Sequence, residues 1–258
     1  MLKTGTPDVF AALLLVPPAA LAEVCEDFGP QTPRDISSTA GENPVMFSLA
    51  PESKHLNLCN IHFHKQAEHK GPGFSVFAGD SDHGGYRCNE TPQLTKAELA
   101  PAKGACTNIE PGDTIEVHWV HSSCDVSPGK GLGSCLSESC GNPNLRVETQ
   151  VFLLVNDSNA LDFADFNYSG SETNGFHQAK AIPSGTGAPV QFTGSTTGPS
   201  FTEQTCSPLQ VSWSVRPQCG KLDINSVHKW CQSNVFEEDH GHGVRQLVKD
   251  KRLLSTIK

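Results

Sequence analysis

The chain is short of positive charge: its 258 residues carry 19 lysines and arginines against 28 aspartates and glutamates, a net charge of −9. Nucleic-acid binding is driven by clustered cations that displace counterions from phosphate, so this balance argues against a nucleic-acid partner. The basic stretch at the end, with Arg245, Lys249, Lys251, Arg252 and Lys258, reads as a solvated terminal segment and predicts a helix within 239–254, delayed by Gly241 and Gly243. The sequence also lacks any apolar run of the about 20 residues that cross a bilayer. The run from Phe10 to Val16 is far shorter, follows Lys3 and precedes Ala20-Leu21-Ala22. That pattern predicts an export signal over residues 1–22.

Other absences exclude whole chemistries. No CxxC pair occurs, which argues against a thiolate zinc site. No GxSxG or HExxH occurs, and no phosphate-binding loop, which removes the signals of a serine hydrolase, a thermolysin-like protease and a nucleotide enzyme. Internal repeats and heptads are missing as well.

What is present begins with ten cysteines, all beyond the predicted cut. An even count in an exported chain predicts a disulfide framework and a periplasmic or extracellular location. The pairing stays open: Cys135 and Cys140 either staple the short Ser-rich loop between them or pair outward. With 23 glycines, 18 prolines and 36% hydrophobic residues, the mature chain 23–258 reads as one loop-rich, mainly β domain.

Period-two alternation predicts strands at Leu56 to His64, Ile115 to His121, Arg146 to Val155 and Leu209 to Val215. The prolines at 30, 33 and 44 predict an N-terminal segment that wanders across the domain, and Ser169 to Pro199 reads as loops and turns. In the first strand Leu56, Leu58, Asn60, His62 and His64 fall on one face, so two imidazoles project together. In the second, Glu116, His118 and Val120 share a face opposite Ile115, Val117, Trp119 and His121. A neighbouring strand can thus add His118 to His62 and His64. Three neutral imidazoles with an open fourth position describe a catalytic zinc site and leave the charge of the ion undiminished, so a bound water ionises near neutral pH. Carbon dioxide, a small electrophile, suits such a nucleophile.

The segments NIHFHKQAEH (60–69), IEVHWVH (115–121), GSTTGP (194–199) and VSWSV (211–215) resemble carbonic anhydrases, the α class in their order and the δ class in the short spacing from HFH to EH. The resemblance implies a twisted, mostly antiparallel central sheet with few short helices and long loops. It implies zinc on His62, His64 and His118, with cobalt or cadmium able to substitute, and carbon dioxide and bicarbonate as the small-molecule partners. Glu116 would orient His118, and Asn60 would hold His62. Glu68 would accept a proton from Thr196 or Thr197, which would orient the nucleophile. Val120, Val151, Leu153 and Trp213 would line an apolar niche, and Cys206 would sit at a bridging position. The sequence departs from the α pattern in the four-residue gap between His64 and Glu68 and in the GSTTGP spacing, which leaves the threonine open.

His121 reads as structural, His69 as either structural or functional, and His55, His83, His177, His240 and His242 as surface residues, any of which at a cavity mouth could shuttle protons. Two rivals remain: an exported, non-catalytic zinc- or copper-binding protein using the same histidines, and a scaffold that has lost its metal and binds a partner.

Overall fold

The computed structural model describes residues 1, 24–25, 28–79, 83–198, 200–245 and 247–258. The export signal expected over 1–22 lies, but for Met1, outside the described residues. In chain order the strands are β1 (Asn57–Lys65), β2 (Val76–Ala78), β3 (Gly85–Arg87), β4 (Thr114–Ser122), β5 (Leu145–Val155), β6 (Glu172–Thr173), β7 (Phe176–His177), β8 (Val190–Ser195), β9 (Gln210–Val215) and β10 (Gly220–Asp223), followed by the helix α1 (Ile224–Cys231).

The main sheet has the order β1-β4-β5-β9-β8, with β10 also pairing β5. It is mixed. β1/β4, β4/β5 and β8/β9 are antiparallel, whereas β5 pairs β9 and β10 in parallel along successive stretches of its length. β5 is buried at every position. It therefore divides the interior into two cores, as alternation on a doubly covered strand requires. One face packs Val147, Val151, Leu153 and Val155 with Val211, Trp213 and Val215. The other packs Phe152 and Leu154 with Ile61, Phe63, Ile115, Val117, Trp119 and α1.

The four strands expected from alternation are present with ends shifted by one residue or so. One face assignment differs. The β1/β4 register slips between Leu58 and Asn60, so Leu58 joins the Ile61 core, not the face of Asn60, His62 and His64. An extra residue at a bulge inverts the alternation on one side of it. Two further expectations fail. The stretch read as loops contains β8, whose Phe192 is its one large apolar anchor. Among the described residues of 239–254 the expected helix does not form; the chain is extended where His242 N–H donates to Phe63 O (3.0 Å) and Lys65 N–H to His242 O (2.7 Å). The helix forms at α1 instead, capped by Asp223, whose carboxylate accepts from Asn225 N–H (3.2 Å), with Val227, Trp230 and Cys231 inward.

The cysteines form Cys25–Cys206, Cys59–Cys135, Cys88–Cys219, Cys106–Cys231 and Cys124–Cys140. Cys135 and Cys140 thus pair outward, and Cys206 ties down the N-terminal segment. That segment then crosses β8 and β9, where Thr32 Oγ1 donates to Ser195 O (2.6 Å) and accepts from Ser195 N–H (2.9 Å) and Trp213 Nε1–H (2.9 Å). Gln31 Oε1 accepts from Ser207 N–H (3.0 Å). These bonds fix both ends of the loop that carries Thr196 and Thr197.

Candidate metal centre

β1 and β4 pair so that His62 faces His118 directly across the ladder, with Asn60 opposite Val120 and His64 opposite Glu116. Side chains on the same face of an antiparallel pair are close neighbours. The rings of His62, His64 and His118 accordingly lie 5.0–5.3 Å apart between centroids, with ligand atoms all within 4.8 Å of one another.

The outer nitrogen of each ring meets an acceptor. His62 Nδ1 is 2.7 Å from Asn60 Oδ1, and the Asn60 amide is itself fixed because its Nδ2 donates to Gly129 O at 2.9 Å. His64 Nδ1 is 3.1 Å from Gly243 O. His118 Nε2 is 2.7 Å from Glu116 Oε1. A neutral ring that donates outward keeps its lone pair on the other nitrogen, so His62 Nε2, His64 Nε2 and His118 Nδ1 all turn lone pairs inward. Among the described residues, buried His64 Nε2 has no hydrogen-bond partner. His62 Nε2 and His118 Nδ1 face each other at 3.2 Å. Nitrogens converging this way form a group that can hold a metal ion. The charge state agrees. Burial, and then the neighbouring imidazoles, hold His62 well below the usual histidine range. Burial likewise brings His64 to about 4 against the opposing pull of Glu68.

Two buried carboxylates stand behind the rings. Glu116 also receives His69, through Nδ1 (2.7 Å) and the backbone N–H (3.0 Å), and the His69 ring packs on Trp213 at 4.8 Å. Burial pushes Glu116 up, but His69 and His118 outweigh it and hold the carboxyl well below its ordinary range. Glu68 accepts from Thr197 Oγ1–H (3.2 Å) and from Arg245 N–H (3.2 Å), with Arg34 Nη1 at 3.8 Å. Burial raises Glu68 as well, yet His64 and Arg34 bring it down to about 2. Thr196 turns elsewhere, to Ser207 Oγ at 2.5 Å. The structure thereby separates the two threonines that the sequence left equivalent.

In front of the rings opens a cavity of about 430 Å³. Its lining includes apolar Val120, Leu145, Val147, Val211 and Trp213 and polar Glu237, Glu238, Asp239, His240 and His242. Val151 and Leu153, expected on the apolar wall, are buried in the core instead. They lie on the expected face of β5, but Val151 pairs Glu116 and Leu153 pairs Thr114, whereas Val147 pairs Val120 and lines the cavity with it. His121 is buried on the far face, as alternation implied.

The sequence of residues 53–226, more than half of the chain, matches the delta carbonic anhydrase family. The chain belongs to that family. No curated protein matches it in sequence. Solved structures similar to it include an α-carbonic anhydrase from Thermovibrio ammonificans in complex with the inhibitor sulfanilamide, at 16% identity over 86% of this chain and 84% of that one, with a TM-score of 0.28. Another is the Photobacterium profundum α-carbonic anhydrase, at 12% identity over 86% and 90%, TM-score 0.28. A third is a hyperthermostable carbonic anhydrase from an active hydrothermal vent chimney, at 15% identity over 84% and 86%, TM-score 0.27.

The span matched to the delta carbonic anhydrase family holds Asn60, His62, His64, Glu68, Glu116, His118, Thr196, Thr197 and Trp213. It leaves out Arg34, Gly243 and Arg245, which reach Glu68 and His64 from both ends of the chain. These were not legible in the sequence. A backbone carbonyl or amide carries no residue-type signal, and nothing near Arg34 marks it as a partner of Glu68.

Proposed function

We propose that this chain catalyses the reversible hydration of carbon dioxide to bicarbonate and a proton, with zinc held by His62, His64 and His118. The observation that carries the proposal is the convergence of three imidazole lone pairs whose opposite nitrogens are each held by an acceptor. A zinc ion there supplies the positive charge that makes water a nucleophile near neutral pH.

The chain does the rest. Glu68, ionised, accepts the one hydrogen bond that the Thr197 hydroxyl can donate, so Thr197 Oγ1 can offer the cavity nothing but a lone pair. It therefore accepts from a nucleophile that still carries a hydrogen and aims the lone pair of that nucleophile toward the substrate. Val120, Leu145, Val147, Val211 and Trp213 exclude water and hold the apolar substrate in reach. Asn60, the Gly243 carbonyl and Glu116 keep the rings in the required tautomers. Thr196, by contrast, anchors the loop through Ser207. The five disulfides fit an oxidising, exported location, and we assign the activity to the periplasm or cell exterior, in one catalytic domain spanning 23–258.

Stopped-flow carbon dioxide hydration by the mature protein, before chelation, after it and after zinc return, tests this reading, with a sulfonamide as a control. Activity that falls with the metal and returns with zinc supports it. No activity with a full equivalent of zinc bound would overturn it and leave a metal-binding protein.

A further inference from the structure

The cavity is also lined by a second pair of imidazoles, His240 and His242, each with one ring nitrogen held by a carboxylate. His240 Nδ1 lies 2.6 Å from Asp239 Oδ1, and His242 Nε2 lies 3.0 Å from Glu238 Oε2. Both acceptors are carboxylates, so in the neutral form of each ring the proton sits on the nitrogen facing the carboxylate and the lone pair on the other, Nε2 of His240 and Nδ1 of His242. Neither of these nitrogens has a protein hydrogen-bond partner among the described residues. The two ring centroids are 4.5 Å apart, closer than any pair in the three-histidine centre.

The backbone explains the placement. Residues two apart in extended chain project to the same side. Here the extended run pairs with β1 through His242 and with Thr107 through Gly241 N–H (3.3 Å). A Cβ at Gly241 would lie 3.2 Å from Lys65 Cβ and 3.4 Å from the Phe63 ring, so the missing side chain lets the run lie flat on β1. Glu238 is itself anchored, accepting from Phe63 N–H at 3.1 Å. The surroundings favour a cation. Glu237, Glu238 and Asp239 line the cavity against two cations, Lys130, which is paired with Glu237 at 2.7 Å, and Arg245.

We propose that His240 Nε2 and His242 Nδ1 form a second metal site at the cavity mouth, for a divalent cation of the class that prefers imidazole nitrogen, such as zinc or copper. Two rings leave the remaining positions to water, so it binds more weakly than the three-ring centre. The His242 ring stands 6.2 Å from His62 and 6.0 Å from His64, so an ion held there lies on the path by which metal reaches that centre. The site stands on its own geometry and not on the catalytic reading.

Zinc and, separately, copper titrated into the chelated, disulfide-intact chain, with binding counted by calorimetry and native mass spectrometry, test it. The wild type takes one tight and one weaker equivalent. His240→Ala, a change at a side chain 48% exposed, and His240→Ala with His242→Ala both lose the weaker equivalent and keep the tight one. His118→Ala does the reverse. A wild type that binds a single equivalent, a second equivalent that survives both variants, or a His240→Ala chain that loses both would overturn the proposal. Because His118→Ala reports on the tight centre alone, failure of either site is seen separately.

Discussion

At each histidine of the centre the decisive property is which nitrogen is already engaged. His118 presents Nδ1 because Glu116 holds its Nε2, whereas His62 and His64 present Nε2 because Asn60 and Gly243 hold Nδ1. His118→Ala should therefore abolish tight zinc binding, measured by calorimetry, and with it all hydration activity. The threonines should separate in the same way as their hydrogen bonds. Thr197→Val should keep zinc and lower kcat about 100-fold, the order of loss when a reacting group is misplaced. Thr196→Val should leave kcat within a small factor and instead cost about 1 kcal/mol of stability, the size of one hydrogen bond. Equal turnover defects in the two variants would contradict this division. His121 makes a separate prediction. It is fully buried, with Nδ1 on Trp119 O at 3.0 Å, and burial lowers it to about 4. Its folded pKa lies below its unfolded one, so between about pH 6.5 and 4 the unfolded chain binds the extra proton and stability is lost as pH falls. His121→Asn should remove up to about 2 kcal/mol of the stability difference between pH 7.5 and pH 5 in the metal-free protein, read from urea unfolding.

Among the elements, β1 contributes most. Its His-x-His spacing was legible because period two is a property of any strand, and so was the opposition of His118 on β4. The inversion at the bulge beside Cys59 was not, since a bulge leaves no mark on the residue pattern. The bulge lies where the loop 125–135 closes on the strand: Cys59 bonds Cys135, Gly129 N–H donates to Cys59 O at 2.9 Å, and Gly129 O receives Asn60. This loop thus fixes the amide that orients His62. Asn60→Ala should weaken zinc about 10- to 100-fold, the usual cost of losing such a partner, with little change in Tm of the apo-protein. β8 escaped notice because its threonine, glycine and serine read as turn residues; its strand character comes from pairing with β9. The helix expected near the C-terminus failed for a related reason, since the backbone of 240–242 hydrogen-bonds to β1 and Thr107 in place of its own turns. That pairing is also what turns His240 and His242, read from the sequence as surface residues, toward the cavity.

Across the whole molecule the disulfides join segments far apart in the chain, with separations of 181, 131, 125 and 76 residues besides the local 16. Cross-links that close long loops restrict the unfolded chain most, and removing one costs about 2–5 kcal/mol. Replacing Cys59 and Cys135 together by alanine should lower stability by about that amount in urea and, because Gly129 loses its tether, weaken zinc as well. Unchanged zinc affinity would show that the loop holds without the bridge. The sequence by itself determined the strands that bear the three histidines, the histidines that face one another and the even set of cysteines, because these depend on local alternation and composition. Only the tertiary structure decided which threonine meets Glu68, that Val147 and Leu145 rather than Val151 and Leu153 wall the cavity, how the cysteines pair, and that Arg34, Gly243 and Arg245 complete the site. Each of these depends on strand register or on contacts between segments separated along the chain, and no local pattern encodes either.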